Sequence, residues 1–312
     1  MALSNVAEEL GGEVLKCKKL NGLSNECYRL DVSSGSCTSS FAVKIYLGKD
    51  AKRKAEKELE LFKIMPRYGL KAPEVCLTDI DGRFTGKPLL VWKWINSVPA
   101  GKVLEKKAFE SLISRTLAAV LANFHKIPWS GLNPNIFPRK VRLWEEELYT
   151  LRLLAKLAGF KDNELIPFAT VLEELEIEQP VLVHGDFNPG NVLVGEDGVY
   201  IMDLENAFVG DPLYDVAYAF AFISFGERWN AALSFVQEYF KLSGCSLQLF
   251  TPKLMATAAK LHFFLSLEEI KSLIKVKGIS LPLAEVVFLR PFKKHLRNIF
   301  HGGISCAAAL HC

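Results

Sequence analysis

The segment H-G-D-F-N-P-G-N, residues 184–191, lies between two short apolar runs, and Asp186 and Asn191 stand five positions apart in it. A second carboxylate, Asp203, follows in I-M-D-L-E, and Lys44 sits in the middle of the apolar stretch F-A-V-K-I-Y-L. Taken singly, each has an ordinary reading. Histidine, aspartate and glycine make good turns, and a lysine in an alternating strand usually faces water. Buried, that lysine would be costly unless its amine were paired or met an anion. Taken together, they are the parts that phosphoryl transfer needs. These are a lysine for nucleotide phosphates, an aspartate to orient the acceptor hydroxyl, and an asparagine and a second aspartate to hold a metal. Oxygen ligands of this kind suit Mg²⁺, which takes few protein groups and completes its shell with phosphate oxygens and water.

These residues must be positioned by the elements around them. K-C-K-K-L and E-C-Y-R-L-D-V flank the turn-like N-G-L-S-N, S-G-S-C-T-S-S reads as a second turn, and F-A-V-K-I-Y-L as a strand, an antiparallel meander. Residues 50–68 read as a helix with Leu59, Phe62 and Met65 on one face, stopped by Gly69 with Pro73 beyond. Residues 88–95 read as another strand after a D-G-R turn. From about residue 96 the pattern turns helical, over 104–125 and 144–159. N-V-L-V-G, the turn E-D-G and V-Y-I-M-D-L-E form a hairpin that places Asn191 and Asp203 at its two ends. From about Asp215 onward the chain reads as mostly helical. The fold class is therefore α+β, with a strand-rich N-terminal third before a helical body. A boundary near residue 95 divides an N-terminal lobe, 1–95, from a C-terminal lobe, 96–312, and N-S-V-P-A-G supplies the loop between them.

The whole chain excludes several classes. It has 312 residues and a net charge of only +3, with both signs interspersed, so nothing calls for nucleic acid or an anionic membrane. The apolar run V-A-Y-A-F-A-F-I-S-F-G has eleven residues, too short to span a bilayer. The N-terminus has no apolar signal core. Seven cysteines without a C-x-x-C pair argue against a disulfide framework or a zinc site, and a cytoplasmic location is expected.

H-G-D-F-N-P-G-N-V-L-V followed by I-M-D-L-E-N-A-F-V-G-D-P-L-Y-D-V-A resembles the aminoglycoside phosphotransferase/choline kinase family, the small-molecule branch of the protein-kinase-like fold. The resemblance implies a bilobal fold with ATP and Mg²⁺ in the cleft between the lobes. It implies Asp186 as catalytic base, Asn191 and Asp203 as metal ligands, and Lys44 on the α/β-phosphates. Glu56, Glu58 and Glu60 compete as the partner of Lys44, and Glu58 is favoured. L-N-G-L-S-N-E-C-Y-R-L is similar to the family's phosphate loop, where backbone N–H groups of residues 22–25, the Ser24 hydroxyl and the Asn25 amide would approach phosphate. Trp92 falls at the back of the adenine pocket, so that the Lys93 carbonyl and the Ile95 N–H would pair with the base. So bulky a residue there restricts the pocket, shifts nucleotide preference or packs as core, which keeps GTP open as donor.

Other residues take supporting parts under the same resemblance. His184 supports the loop, His125 packs at a helix end, and Asp215 braces the catalytic loop. Glu205 either touches metal through water or faces solvent. D-L-E replaces D-F-G, twelve positions separate Asp203 from Asp215, and no A-P-E follows, so a peptide acceptor is disfavoured. The expected acceptor is a small molecule with a hydroxyl. Two alternatives remain: a catalytically silent nucleotide-binding scaffold of the same fold, and a membrane- or partner-binding helical protein suggested by the basic stretch at 290–301.

Overall fold

The computed structural model describes residues 2–20, 24–140, 179–224 and 228–244. Five antiparallel strands form the N-terminal sheet: β1 (Glu13–Leu20), β2 (Glu26–Ser34), β3 (Cys37–Ile45), β4 (Val75–Asp79) and β5 (Leu89–Lys93), in the spatial order β1-β2-β3-β5-β4. The second expected turn is shorter than S-G-S-C-T-S-S, because Cys37–Ser40 already pair with β2 as the start of β3.

Strand β3 explains why Lys44 is not solvent-facing. From Phe41 to Ile45 every side chain is buried. One face carries Phe41, Val43 and Ile45 against Val6 and Ala7 of α1 (Ala2–Glu9), a helix the sequence pattern had not suggested. The other face carries Ala42 and, beyond the strand, Tyr46 against Ala51, Ala55 and Phe62 of α2 (Ala51–Ile64). Lys44 shares the face of Ala42 by the two-residue period of a strand. The alternation rule assumes one wet face, and residues 41–45 of this strand have none.

Helix α2 runs into a 3₁₀ turn, Met65–Tyr68, and ends at Gly69 in the left-handed conformation, φ 71°, which glycine adopts without a Cβ penalty. Strand β6 (Ser97–Pro99) lies within the stretch expected to be loop and pairs with β8 (Val192–Gly195). Thus only residues 94–96 separate the strands of the two sheets. The helix expected over 104–125 starts later, as α4 (Glu110–His125); a separate short helix, α3 (Ala100–Leu104), and a 3₁₀ turn precede it. Residues 105–109 are all exposed, so no buried stripe holds that turn in α-helical form.

Strand β7 (Val181–Val183) pairs with β10 (Phe208–Gly210), and β8 pairs with β9 (Gly198–Ile201) as the expected hairpin. The C-terminal core is built by α4, α5 (Leu213–Ser224) and α6 (Trp229–Ser243), with Leu117, Leu121, Phe220, Phe235 and Tyr239 buried among them. Residues 216–224 of the apolar run lie in α5, which is nearly all buried. No helix among the described residues is long and apolar enough to cross a membrane. The helical pattern at 144–159 and the basic stretch at 290–301 lie outside the described residues.

Candidate active site

Lys44 is the centre of a charge cluster. Its Nζ lies 2.6 Å from Glu58 Oε2, 2.6 Å from Asp203 Oδ1 and 3.2 Å from Glu205 Oε2. Of the three helix glutamates, Glu58 is the one buried on β3, and Glu56 and Glu60 are partly exposed. The Tyr46 hydroxyl donates to Glu58 Oε2 at 2.6 Å, while Glu58 Oε1 accepts the backbone N–H groups of Asp203 at 3.1 Å and Leu204 at 3.3 Å. Glu58 therefore fixes both the lysine and the backbone turn that carries Asp203. That turn is unusual: Asp203 has φ 63°, a left-handed conformation rarely taken by residues with a side chain.

The charges decide the protonation states here. Burial alone would push the Lys44 ammonium down, but the carboxylates of Glu58, Asp203 and Glu205 outweigh it and hold the group well above the ordinary lysine range. Burial would likewise raise Asp203, yet the Lys44 charge and hydrogen bond bring its carboxyl below the ordinary value.

Asp186 has a different environment, made of neutral donors. Asn188 Nδ2 donates to its Oδ1 at 3.0 Å and Asn191 Nδ2 to its Oδ2 at 2.9 Å. The Tyr218 hydroxyl of α5 is a third donor. Burial nevertheless dominates and pushes the Asp186 carboxyl above its ordinary range.

The loop carrying Asp186 is braced from below. Asp215 accepts the N–H of His184 at 2.7 Å and of Gly185 at 3.0 Å, and His125 Nε2 lies 3.0 Å from the same carboxylate. His125 Nδ1 in turn lies 2.7 Å from the Tyr239 hydroxyl of α6. His125 is thus a link in a buried polar chain, more than the packing residue the sequence suggested. His184 Nε2 sits 3.0 Å from the Met202 carbonyl, which can only accept, and its Nδ1 accepts the Asp186 N–H at 3.2 Å. These partners select the neutral Nε2–H tautomer, in which His184 holds the backbone of both aspartate segments. Gly185 has φ 82°, and a Cβ there would lie 2.4 Å from the Asn206 carbonyl oxygen, so only glycine fits.

Of the two readings offered for it, Glu205 contradicts the solvent-facing one, and its carboxylate lies among the oxygens that could hold a metal. It is 3 % exposed, paired to Lys44, to Lys54 Nζ at 3.0 Å and to the Asn25 amide. The strand ends at Ile201 and a 3₁₀ turn, Leu204–Asn206, follows Asp203, which turns Glu205 inward. Of the expected phosphate-loop residues, Ser24 is exposed and Asn25 is buried, its Oδ1 accepting the Leu47 N–H at 3.1 Å; Gly22 and Leu23 lie outside the described residues. Lys93 is exposed, with its N–H on the Glu74 carbonyl, and Ile95 lies just beyond β5 with its carbonyl accepting from Ser97. Trp92 packs as core, edge-on to Phe62 at 5.9 Å. Asn188, Tyr218, Lys54 and Tyr46 were missed by sequence reasoning. Only Asn188 left a signal, as a second amide in the polar loop.

The donor set fits a hard divalent cation. Oxygens of Glu58, Asp203 and Glu205 lie within 4.8 Å of one another, and all are carboxylates, the chemistry Mg²⁺ prefers. Glu58 is committed to Lys44, Tyr46 and two backbone amides. Asn191 spends its amide nitrogen on Asp186, so its Oδ1 is the side-chain atom that could turn to a cation.

A five-stranded sheet with a buried lysine–helix glutamate pair, set beside an H-G-D loop braced by a buried aspartate, defines a kinase-like phosphotransferase. A family model described as "Phosphotransferase enzyme family" matches residues 16–245, and the chain belongs to that family. Over 174 residues the chain is 26 % identical to N-acetylmuramate/N-acetylglucosamine kinase of Pseudomonas aeruginosa; the match takes in 53 % of this chain and 50 % of that protein, so the chain spans about half the length of this curated relative. Among solved structures it is similar to amicoumacin kinase in complex with AMP-PNP and Ca²⁺ (13 % identity, TM-score 0.63, 96 % of each chain). It is also similar to a spectinomycin phosphotransferase in complex with ADP and spectinomycin (14 %, 0.58, 98 % of each chain). A choline/ethanolamine kinase family protein from Mesorhizobium loti matches at 16 % identity and TM-score 0.55, over 98 % of this chain and 95 % of that one. At these identities the structural likeness is one of fold.

Proposed function

We propose that the protein transfers the γ-phosphate of ATP, or of GTP, to a hydroxyl of a small molecule, with Asp186 as catalytic base and Mg²⁺ held by Asn191 and Asp203. The observation that carries this reading is that both halves of the site are present and physically joined. Lys44 touches Glu58 and Asp203 at 2.6 Å, Asn191 touches Asp186 at 2.9 Å, and the Met202 N–H donates to the Asn191 carbonyl at 2.9 Å between them.

Each residue then has a task set by its surroundings. An ionised carboxylate offers about four acceptor positions, and Asn188, Asn191 and Tyr218 occupy three on Asp186. The remaining position suits one O–H donor, the acceptor hydroxyl, held by a base whose raised pKa improves proton acceptance. Lys44 fixes the α/β-phosphates, with Glu58 preventing its retreat. The backbone near Ser24 and Asn25 covers the phosphates, and the Lys93 carbonyl and Ile95 N–H receive the base. When bound, the divalent cation supplies charge neutralisation on the phosphate oxygens. The acceptor panel should begin with N-acetylated amino sugars, the class named by the relative from P. aeruginosa, and extend to aminoglycosides and amino alcohols. The test is ADP release from Mg-ATP or Mg-GTP across that panel. Acceptor-dependent release in the wild type, abolished in Asp186→Ala, supports the reading. A panel hit on which Asp186→Ala equals the wild type removes Asp186 from the base role, and nucleotide binding without transfer to any acceptor returns the protein to the silent-scaffold alternative.

A further inference from the structure

Glu205 sits where three anion-binding groups converge. Lys44 Nζ is 3.2 Å from its Oε2, Lys54 Nζ is 3.0 Å from its Oε1, and the Asn25 amide nitrogen donates to Oε2. The amide cannot be read the other way round, because Asn25 Oδ1 is committed to the Leu47 N–H at 3.1 Å. The donors come from three separate elements: β3, α2, and the end of the hairpin loop that leads into β2. Lys54 lies one helical turn before Glu58, on the same face of α2, and is partly exposed; it presents a second ammonium to the same carboxylate. Two lysines and an amide converging on two oxygens is a phosphate-type binding arrangement, and here the oxygens belong to the chain itself.

We propose that the Glu205 carboxylate is an internal stand-in for a nucleotide phosphate, and that Lys54, like Lys44, is a phosphate-binding lysine freed when Glu205 turns away. This deepens the nucleotide reading above and rests on it. The contact also ties the phosphate-loop hairpin, through Asn25, to the segment after Asp203. An incoming phosphate must replace Glu205 on Lys54 and Asn25. Turned off Lys54 and Asn25, the carboxylate stays buried beside Asp203 and Glu58 with less cationic compensation, a costly state unless a divalent cation accompanies the nucleotide. Glu205 thereby makes nucleotide binding depend on the metal, as a charge interlock.

The test is calorimetric binding of ADP to the full chain, in Mg²⁺ and in EDTA, with no turnover required. The wild type should bind ADP in Mg²⁺ and bind it far more weakly in EDTA. Glu205→Gln, which keeps the shape and removes the charge, should tighten ADP binding in EDTA by about tenfold or more. Adding Lys54→Met to Glu205→Gln should erase that gain, and Lys54→Met alone should weaken Mg-ADP by about tenfold. If wild type binds Mg-ADP but Glu205→Gln leaves the EDTA affinity unchanged or lower, the interlock is wrong and the nucleotide reading survives. If the wild type binds ADP in neither condition, both fall. Should Glu205→Gln fail to fold, Lys54→Met decides alone: an unchanged Mg-ADP affinity overturns the proposal.

Discussion

Asp186 and Asp203 belong to one site but are held in opposite ways. Asp186 is surrounded by two asparagine amides and a tyrosine hydroxyl, and burial raises its carboxyl. Asp203 lies 2.6 Å from the Lys44 ammonium, which holds its carboxyl down. Two carboxylates whose surroundings push them apart can divide the work: the raised one accepts a proton, and the lowered one stays charged to face a cation. The difference extends to the regions around them. In the loop of residues 184–191 uncharged donors hold the carboxylates of Asp186 and Asp215, whereas the Lys44 cluster is a charge network of three carboxylates and two lysines.

That contrast can be broken experimentally, and the charge network should give the largest effect. Lys44→Met leaves Glu58, Asp203 and Glu205 facing one another, and removing one partner of a buried pair costs about 3–5 kcal/mol. Urea unfolding at pH 7 should show it. The sign with pH follows from Asp203. Its folded pKa is below the unfolded value, so its stabilisation is present above the unfolded pKa of about 4 and lost as pH falls through the folded value. The gap between wild type and Lys44→Met should therefore narrow in acid. An equal gap at all pH values would mean the cluster is held by packing.

Asp215→Ala tests the neutral side and should cost about 2–3 kcal/mol, because it leaves the buried N–H groups of His184 and Gly185 and the His125 ring without their acceptor. Transfer should fall with it. Tyr239→Phe, at the far end of the same chain, should cost about 1 kcal/mol and lower kcat with little change in the KM for nucleotide. A change in nucleotide KM instead would show that the two networks are not separate. The smallest effect is a shift of pH profile. The acid limb of kcat/KM should lie above the ordinary aspartate range of about 4. Because the Tyr218 hydrogen bond favours the ionised form of Asp186, Tyr218→Phe should move that limb further up. Movement downward would mean that Tyr218 does not donate to this carboxylate.

The neutral and charged halves were unequally legible in the sequence. Lys44, Asp186, Asn191 and Asp203 stand out because polar residues interrupt or border apolar runs, whereas Glu58 was favoured among three helix glutamates only through the family resemblance; the structure brings all five into one contiguous site. The hairpin and α2 were readable for the same reason, periodicity bounded by turn residues. Glu205 and Lys54 were not, because their pairing depends on a strand ending at Ile201 and on a left-handed residue at Asp203, neither of which a spacing rule can report. The link from His125 to Tyr239 joins residues 114 positions apart, invisible to any local pattern. Helix α1 and the short strands β4, β6 and β10 carry too few residues for periodicity to declare them.

The central claim is that these two halves act together on one phosphoryl group. Phosphorus NMR of the wild type with Mg-ATP and the best acceptor from the panel tests it directly. ADP and a new phosphate monoester of the acceptor should appear in equal amounts, with no monoester from Asp186→Ala. Inorganic phosphate alone from the wild type, or the same monoester yield from Asp186→Ala, would contradict it.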